Sequence, residues 1–238
     1  METLQDIWDW VFNTPVKLSL PWYALYALII IGAATRFFRY TYKLPKLLGS
    51  LVHEAGHASM ALLMGLQVSK IKLDSKGNGV TEFYTRPGVR NIFVALAGYL
   101  TPAALAMGLT YLITSDNLNG AIALLSITFL VLAIFVRSLV GIFLNTLFGG
   151  LLYLILTLSQ SLSTALIVFI VGVLLSAGVM GVWEAYMVRT RKTSEGATDS
   201  QVLAKLTFVI PSIVWDVVFA AINLVSVIYV ILFVYSTI

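Results

Sequence analysis

Long apolar runs alternate with short polar stretches along most of the chain. A helix needs about 20 mostly apolar residues to cross the hydrocarbon core of a bilayer, and several runs approach or exceed that length. They cover residues 21–38, 91–114, 119–136, 138–158, 162–188 and 209–236. A further apolar segment, 47–66, carries ionisable residues at positions 53, 54 and 57. The pattern predicts an all-α polytopic membrane protein with about six or seven membrane helical segments.

One segment has a different pattern. Residues 67–86 are polar, alternate in part between apolar and polar positions, and contain the turn sequence Lys76-Gly77-Asn78-Gly79. Glycine in a short turn between alternating segments predicts a small β-hairpin. The alternative is a solvated loop between two helices. A hairpin beside a membrane active site would be able to hold a bound polypeptide as an added strand.

The composition supports a membrane environment. Of the 238 residues, 59% are hydrophobic and 11% are charged, whereas a soluble domain has roughly 45–50% apolar and about 25% charged residues. Neither an internal repeat nor a low-complexity linker interrupts the chain, so residues 1–238 are expected to form a single integral membrane domain. The acidic and aromatic N-terminal sequence argues against a cleaved signal peptide, and the first apolar segment is expected to be retained.

Charged residues give a partial topology. The net charge of +4 comes from basic loops, and no run of Lys and Arg is dense enough to indicate nucleic-acid binding. The positive-inside rule places 67–90, Arg137 and 189–205 on the cytoplasmic side of a multi-pass protein, expected in the plasma (inner) membrane. The basic stretch 36–46 fits the same side only if 47–66 is re-entrant or half-inserted.

Both histidines of the chain lie in the motif His53-Glu54-Ala55-Gly56-His57. On a helix, residues four apart share a face, and two imidazoles so placed can bind one zinc ion at about 2.0–2.1 Å. Glu54 would take the proton of a water activated by that ion. The short pattern also arises by chance in soluble proteins. Ionisable residues inside an apolar membrane segment are costly and usually functional, so we predict a metal site with Glu54 as the catalytic base.

A third metal ligand is needed, because catalytic zinc sites usually have three protein ligands and one open position. With no cysteine and no further histidine in the sequence, an Asp, a Glu or an amide side chain must supply it. Asp199, Asp216 and Glu184 are the candidates. Each has an alternative role: Asp199 as a helix N-cap, Asp216 as the partner of a basic residue, and Glu184 as a side chain that extends towards the membrane interface.

Around these candidate residues the sequence resembles the site-2-protease family of intramembrane zinc metallopeptidases, and in particular its small branch without PDZ domains. The resemblance covers most of 35–110 and returns near 196–216. The similar segments are Thr35-Arg36-Phe37-Phe38-Arg39, the HEAGH motif, Val68, Ile71-Lys72-Leu73, Gly77-Asn78-Gly79-Val80-Thr81, Ala97-Gly98-Tyr99-Leu100-Thr101-Pro102 and Thr198-Asp199-Ser200 with Leu203-Ala204-Lys205-Leu206-Thr207.

The resemblance favours Asp199 as the third ligand. Thr198-Asp199-Ser200 is similar to the Ser-Asp-Ala segment of the small branch. Larger members of the family place the third ligand in an Asn-Pro…Asp-Gly motif on a later membrane helix. The nearest stretch here, Asn145-Thr146-Leu147-Phe148-Gly149-Gly150, has Phe148 where the aspartate would be needed.

The resemblance implies an intramembrane zinc endopeptidase with one Zn²⁺ per chain on His53, His57 and Asp199, and with Glu54 as general base. Its partners would be the lipid bilayer and a transmembrane protein substrate that is locally unwound. Two other functions are considered. One is a catalytically inactive membrane regulator of the same fold, and the other is a zinc or solute transporter in which the histidines bind ions in transit. Transport is less favoured because no paired discontinuous helices are evident.

Overall fold

Helices form most of the molecule. The computed structural model describes residues 3–16, 20–86, 88–191 and 197–236. Within these ranges the elements are α1 (Leu4–Trp8) with a π-helical turn (Asp9–Asn13), α2 (Trp22–Ala34), α3 (Lys43–Leu63), β1 (Gln67–Leu73), β2 (Gly79–Tyr84), α4 (Val89–Thr114), α5 (Leu118–Phe135), α6 (Leu139–Thr157), α7 (Gln160–Arg191), α8 (Asp199–Thr207) and α9 (Ser212–Tyr235).

Five helices of the described chain are long and apolar enough to cross a membrane: α4, α5, α6, α9 and the Gln160–Val188 part of α7. The predicted segment 47–66 corresponds to α3, which begins earlier, at Lys43, and is not among the five. The remaining predicted span forms the shorter apolar helix α2. The predicted all-α polytopic fold with a small hairpin is therefore confirmed. Residues 192–196 of the predicted basic loop 189–205 lie outside the described residues.

The helix α2 is shorter than its apolar run. The run extends to residue 38, but the helix ends at Ala34. Arg36 is buried just beyond this end, where it pairs with Glu184 of α7 and donates from Nη1 to the carbonyl oxygen of Tyr42 at 3.3 Å. A buried guanidinium requires such partners. The chain leaves the helix at the point where Arg36 reaches them.

The segment after α3 is the predicted β-hairpin, and the interpretation as a solvated loop is wrong. β1 and β2 pair antiparallel from Gln67↔Tyr84 to Leu73↔Gly79. In the turn, Asp74 Oδ1 accepts hydrogen bonds from the backbone N–H groups of Lys76 (2.8 Å) and Asn78 (2.9 Å). Gly77 has φ +89°, a conformation that favours glycine. The sequence signal at Lys76-Gly77-Asn78-Gly79 therefore marks the turn.

The hairpin folds back along α3. The backbone carbonyl of Gly77 in its turn accepts a hydrogen bond of 2.7 Å from Ser50 Oγ in the N-terminal half of α3. The outer edge of β1 is bound by the α5–α6 connection: the N–H of Arg137 donates to the Ile71 carbonyl at 2.9 Å, and the N–H of Leu73 donates to Ser138 Oγ at 2.9 Å. The turn, the N-terminal half of α3 and the α5–α6 connection thus meet in one region of the molecule.

Small residues allow α3 to pack closely against two long helices. A Cβ built at Gly56 would lie 2.7 Å from the carbonyl oxygen of Ala97 and 2.8 Å from Cβ of Thr101, both on α4. At Gly49, a Cβ would overlap the side chain of Ala177 on α7. Such positions are typical of helix–helix contacts in membranes, where small residues let backbones approach. The glycine of the HEAGH motif thus allows the close approach of α3 to α4.

Candidate metal centre

Three side chains from two distant segments meet beside α4. His53 and His57 project from adjacent turns of α3, and Asp199 is the first residue of α8. The two Nε2 atoms are 3.1 Å apart. Oδ2 of Asp199 lies 3.0 Å from Nε2 of His53 and 3.3 Å from Nε2 of His57. In the described chain this is the one group of three or more His, Asp or Glu side chains with ligand atoms so close together.

The geometry fits a single zinc ion. Ligand atoms at 2.0–2.1 Å from a tetrahedral ion are about 3.3–3.4 Å from one another, close to the three distances at this site. Two imidazoles and one carboxylate form a donor set typical of catalytic zinc. The side chains are 20% exposed at His53 and Asp199 and 10% exposed at His57. The group is therefore sheltered but not closed to solvent, as a centre that uses water requires.

The backbone of α4 orients His57. Its Nδ1 lies 2.7 Å from the carbonyl oxygen of Val94, which can only accept a hydrogen bond. Nδ1 therefore carries the proton, and the lone pair of Nε2 is directed towards Asp199 and His53. Metal-binding histidines usually have such a partner on the other ring nitrogen, because it fixes the tautomer and the ring orientation.

His53 is held by an aromatic contact. The ring of Tyr99 on α4 meets the His53 ring edge-on, with centroids 4.7 Å apart, and packs in turn on Phe219 of α9 at 4.5 Å. Tyr99 is buried. Side chains from two long apolar helices, α4 and α9, thus restrict the orientation of the His53 imidazole that faces Asp199.

Gly98 of α4 lies directly against the group. A Cβ built there would be 2.5 Å from Nε2 of His57 and 2.6 Å from Nε2 of His53. Any larger residue would enter the space in which the three ligand atoms meet. From the sequence, Gly98 stands out only as part of a segment similar to the family, because a glycine inside an apolar helix does not reveal which neighbouring residue requires its small size.

Asp199 is not the N-cap of α8, so the capping alternative is wrong. The N-cap is Thr198, whose N–H donates to Gln201 Oε1 at 2.9 Å. Thr-x-x-Gln is a capping-box pattern, and it was present in the sequence. The cap leaves the Asp199 carboxylate available to the imidazoles.

The other candidate acids lie outside this group. Glu184 pairs with Arg36 and, at 3.3 Å, with Nζ of Lys46. Asp216 is buried on α9. Neither is one of the three side chains whose ligand atoms come together.

Glu54 lies next to the group, and the hairpin contacts it. It is buried on α3, and its Oε2 accepts a hydrogen bond of 2.6 Å from Thr81 Oγ1 of β2. A Cβ at Gly79 of the same strand would overlap the Glu54 carboxyl group. A site role for Thr81 or Gly79 does not follow from the sequence, because nothing in the spacing of the hairpin shows which of its residues face α3.

Comparison with known proteins identifies the family of the chain. A family model described as Peptidase M50B-like matches residues 23–230, which run from α2 into α9 and include the residues of the candidate metal centre. No curated protein and no solved structure matches the chain. The match extends over most of the sequence, and it confirms the resemblance to the site-2-protease family. The chain therefore belongs to the Peptidase M50B-like family.

Proposed function

We propose that the protein is an intramembrane zinc metalloendopeptidase that hydrolyses peptide bonds of membrane-embedded protein substrates. The observation that carries this proposal is the triangle of His53 Nε2, His57 Nε2 and Asp199 Oδ2, whose sides of 3.0–3.3 Å suit one tetrahedral ion. Its location in a chain of the Peptidase M50B-like family with five helices able to cross a membrane supports the same reading.

The three residues would hold one Zn²⁺ per chain. When bound, zinc makes water a nucleophile at neutral pH and polarises the scissile carbonyl group. Val94 keeps the His57 ring in the tautomer that a ligand needs. The Asp199 carboxylate adds one negative charge, which offsets part of the charge of a divalent cation.

Glu54 is the general base of this proposal. Its carboxylate takes the proton of the attacking water and then delivers it to the leaving amine. Glu54 is buried on the same helix as His53 and His57, which keeps the base beside the two imidazole ligands.

The hairpin is the proposed contact for an unwound substrate segment. The outer edge of β1 is occupied by the α5–α6 connection at Ile71 and Leu73. A substrate that adds as a strand would therefore pair with β2. The strand β2 also touches Glu54 through Thr81, so this mode would bring an extended backbone close to the base.

Glu54→Gln tests the proposal most directly. The purified variant, reconstituted with a transmembrane substrate, should keep its zinc and lose about 10²–10⁴-fold in cleavage rate, because an amide does not accept the proton. Cleavage near the wild-type rate would exclude this mechanism. Zinc-loaded protein that cleaves no membrane substrate would support the inactive regulator, and zinc flux across proteoliposomes would support the transporter.

A further inference from the structure

Glu54, the proposed catalytic base, lies on α3 but is also held by the strand β2. The Thr81 hydroxyl lies 2.6 Å from Oε2 of Glu54 and 3.1 Å from the backbone carbonyl oxygen of the same residue. A hydroxyl has one proton to donate, and the shorter contact is to the carboxylate. Thr81 therefore donates to the Glu54 carboxylate, and its hydroxyl also lies against the turn of α3 from which that side chain projects.

The second oxygen of Glu54 faces Gly79. A Cβ at this position would lie 2.5 Å from Cγ and 2.7 Å from Cδ of Glu54, and still nearer to Oε1. A side chain at position 79 would therefore displace the carboxyl group. Since Thr81 engages Oε2, the oxygen beside Gly79 is the one left to accept a proton.

β2 is itself anchored through its partner strand β1 and through the turn that joins the two strands. Its partner β1 is bonded to the α5–α6 connection at Ile71 and Leu73. The turn between the strands is closed by Asp74 and tied to α3 by the hydrogen bond of 2.7 Å from Ser50 Oγ to Gly77. A strand anchored in this way can hold a carboxylate in one orientation, and a catalytic group must be held within a fraction of an ångström to act efficiently.

We propose that Thr81 is a positioning residue for the general base Glu54, and that Gly79 keeps the proton-accepting oxygen of Glu54 unobstructed. This inference rests on the proposed proteolytic function. It extends that function by giving the hairpin a second role. The strand proposed to bind substrate also sets the direction of the base, so a displacement of β2 alters substrate binding and proton transfer together.

The experiment compares Thr81→Val with Thr81→Ser. Valine keeps the shape of threonine but has no hydroxyl, whereas serine keeps the hydroxyl. The variants are purified beside wild type and Glu54→Gln, and kcat, KM and zinc content are measured with one transmembrane substrate in proteoliposomes. Thr128→Val is the matched control, because Thr128 Oγ1 donates only to a carbonyl group of its own helix, that of Leu124 at 3.0 Å.

Thr81→Val should lower kcat on the order of 10-fold, the effect of losing one hydrogen bond to a charged group. KM and zinc content should stay close to the wild-type values, since Thr81 is not a ligand and the substitution leaves the backbone of β2 unchanged. Thr81→Ser should recover most of kcat, and Thr128→Val should behave as wild type. A purely structural role of Thr81 would instead lower zinc content and the amount of folded protein in both variants.

Several results would overturn the assignment. Thr81→Val with wild-type kcat beside an inactive Glu54→Gln would refute the role of Thr81 while leaving the proposed function intact. Equal loss in the valine and serine variants, or loss of zinc in Thr81→Val, would also refute it. Wild type no more active than Glu54→Gln would refute the proposed function itself, and with it this assignment.

Gly79→Ala tests the second half of the inference. The added methyl group should displace the Glu54 carboxyl group and lower kcat while zinc content is retained. Gly149→Ala is its control, because a Cβ at Gly149 of α6 would meet nothing within 4 Å. Wild-type kcat in Gly79→Ala would show that β2 does not constrain the carboxylate.

Discussion

Oδ2 of Asp199 lies 3.0 Å from Nε2 of His53, which joins the start of a short helix late in the chain to the HEAGH helix near its beginning. The contact does not depend on helix capping, since Thr198 caps α8. The proximity of Asp199 to His53 suits metal binding, and this role can be tested by measuring the zinc content of variants.

Zinc content is the first test. The purified protein should contain about one zinc per chain, and both His53→Ala and His57→Ala should lose it, because two protein ligands rarely retain a catalytic ion. Inductively coupled plasma mass spectrometry on detergent-purified protein measures the ratio. Stoichiometric zinc in both variants would place the metal at another site.

Comparing Asp199→Ala with Asp216→Ala tests which aspartate is the third zinc ligand. Asp199→Ala should weaken zinc binding by more than the roughly 10–100-fold that loss of an outer partner costs. Asp216→Ala should keep zinc. The fold of Asp199→Ala should persist, since the cap of α8 is Thr198. Full zinc in Asp199→Ala with depleted zinc in Asp216→Ala would transfer the ligand role to Asp216.

Gly98→Ala should remove zinc while the protein stays folded. The added methyl group would lie 2.5–2.6 Å from the two Nε2 atoms, inside van der Waals contact and in the space that an ion would occupy. Zinc content and the thermal unfolding curve are measured together, with Gly149→Ala as the control. Retention of stoichiometric zinc in Gly98→Ala would contradict the proposed position of the ion.

Glu184→Ala should destabilise the protein. It removes the partner of Arg36, which is buried, and of Lys46. Leaving a buried charge without its partner costs about 3–5 kcal/mol; the loss here should be smaller, because the Glu184 side chain is 40% exposed. The midpoint of thermal unfolding in detergent measures the effect.

Glu82→Ala is the control for that experiment. Glu82 pairs with Lys70 and Lys72 on the outer face of the hairpin. Hydrogen bonds from Lys72 and Lys70 hold the pKa of Glu82 below its ordinary value, but these groups are exposed and such pairs add little stability. An unfolding midpoint lowered as much in Glu82→Ala as in Glu184→Ala would show that the Arg36–Glu184 pair contributes no more stability than an exposed pair.

The parts of the structure that depend on local pattern were predictable from the sequence. The long apolar runs, the helix that carries His53 and His57, and the hairpin with its glycine turn all follow from periodicity and turn chemistry. The end of α2 was not predictable, because it depends on Arg36 reaching Glu184 on a helix far along the chain.

The site was predictable only in part. Helical spacing identifies His53, Glu54 and His57 as a group, but only the resemblance singled out Asp199. The places of Thr81, Gly79 and Gly98 beside the site depend on contacts between elements, and their own segments carry no sign of those contacts. The capping pattern Thr198-x-x-Gln201 was readable, and it would have removed the main competing role of Asp199.

The distance along the chain between His53 and Asp199 bears on how the protein is made. A ribosome delivers α4, α5, α6 and α7 to the membrane before it reaches Asp199. Until then the nascent chain exposes two histidines and Glu54 but has no complete set of three ligands. The hydrolytic centre proposed here therefore cannot form while α4 to α7 are being inserted, since its third ligand, at the start of α8, has not yet been made.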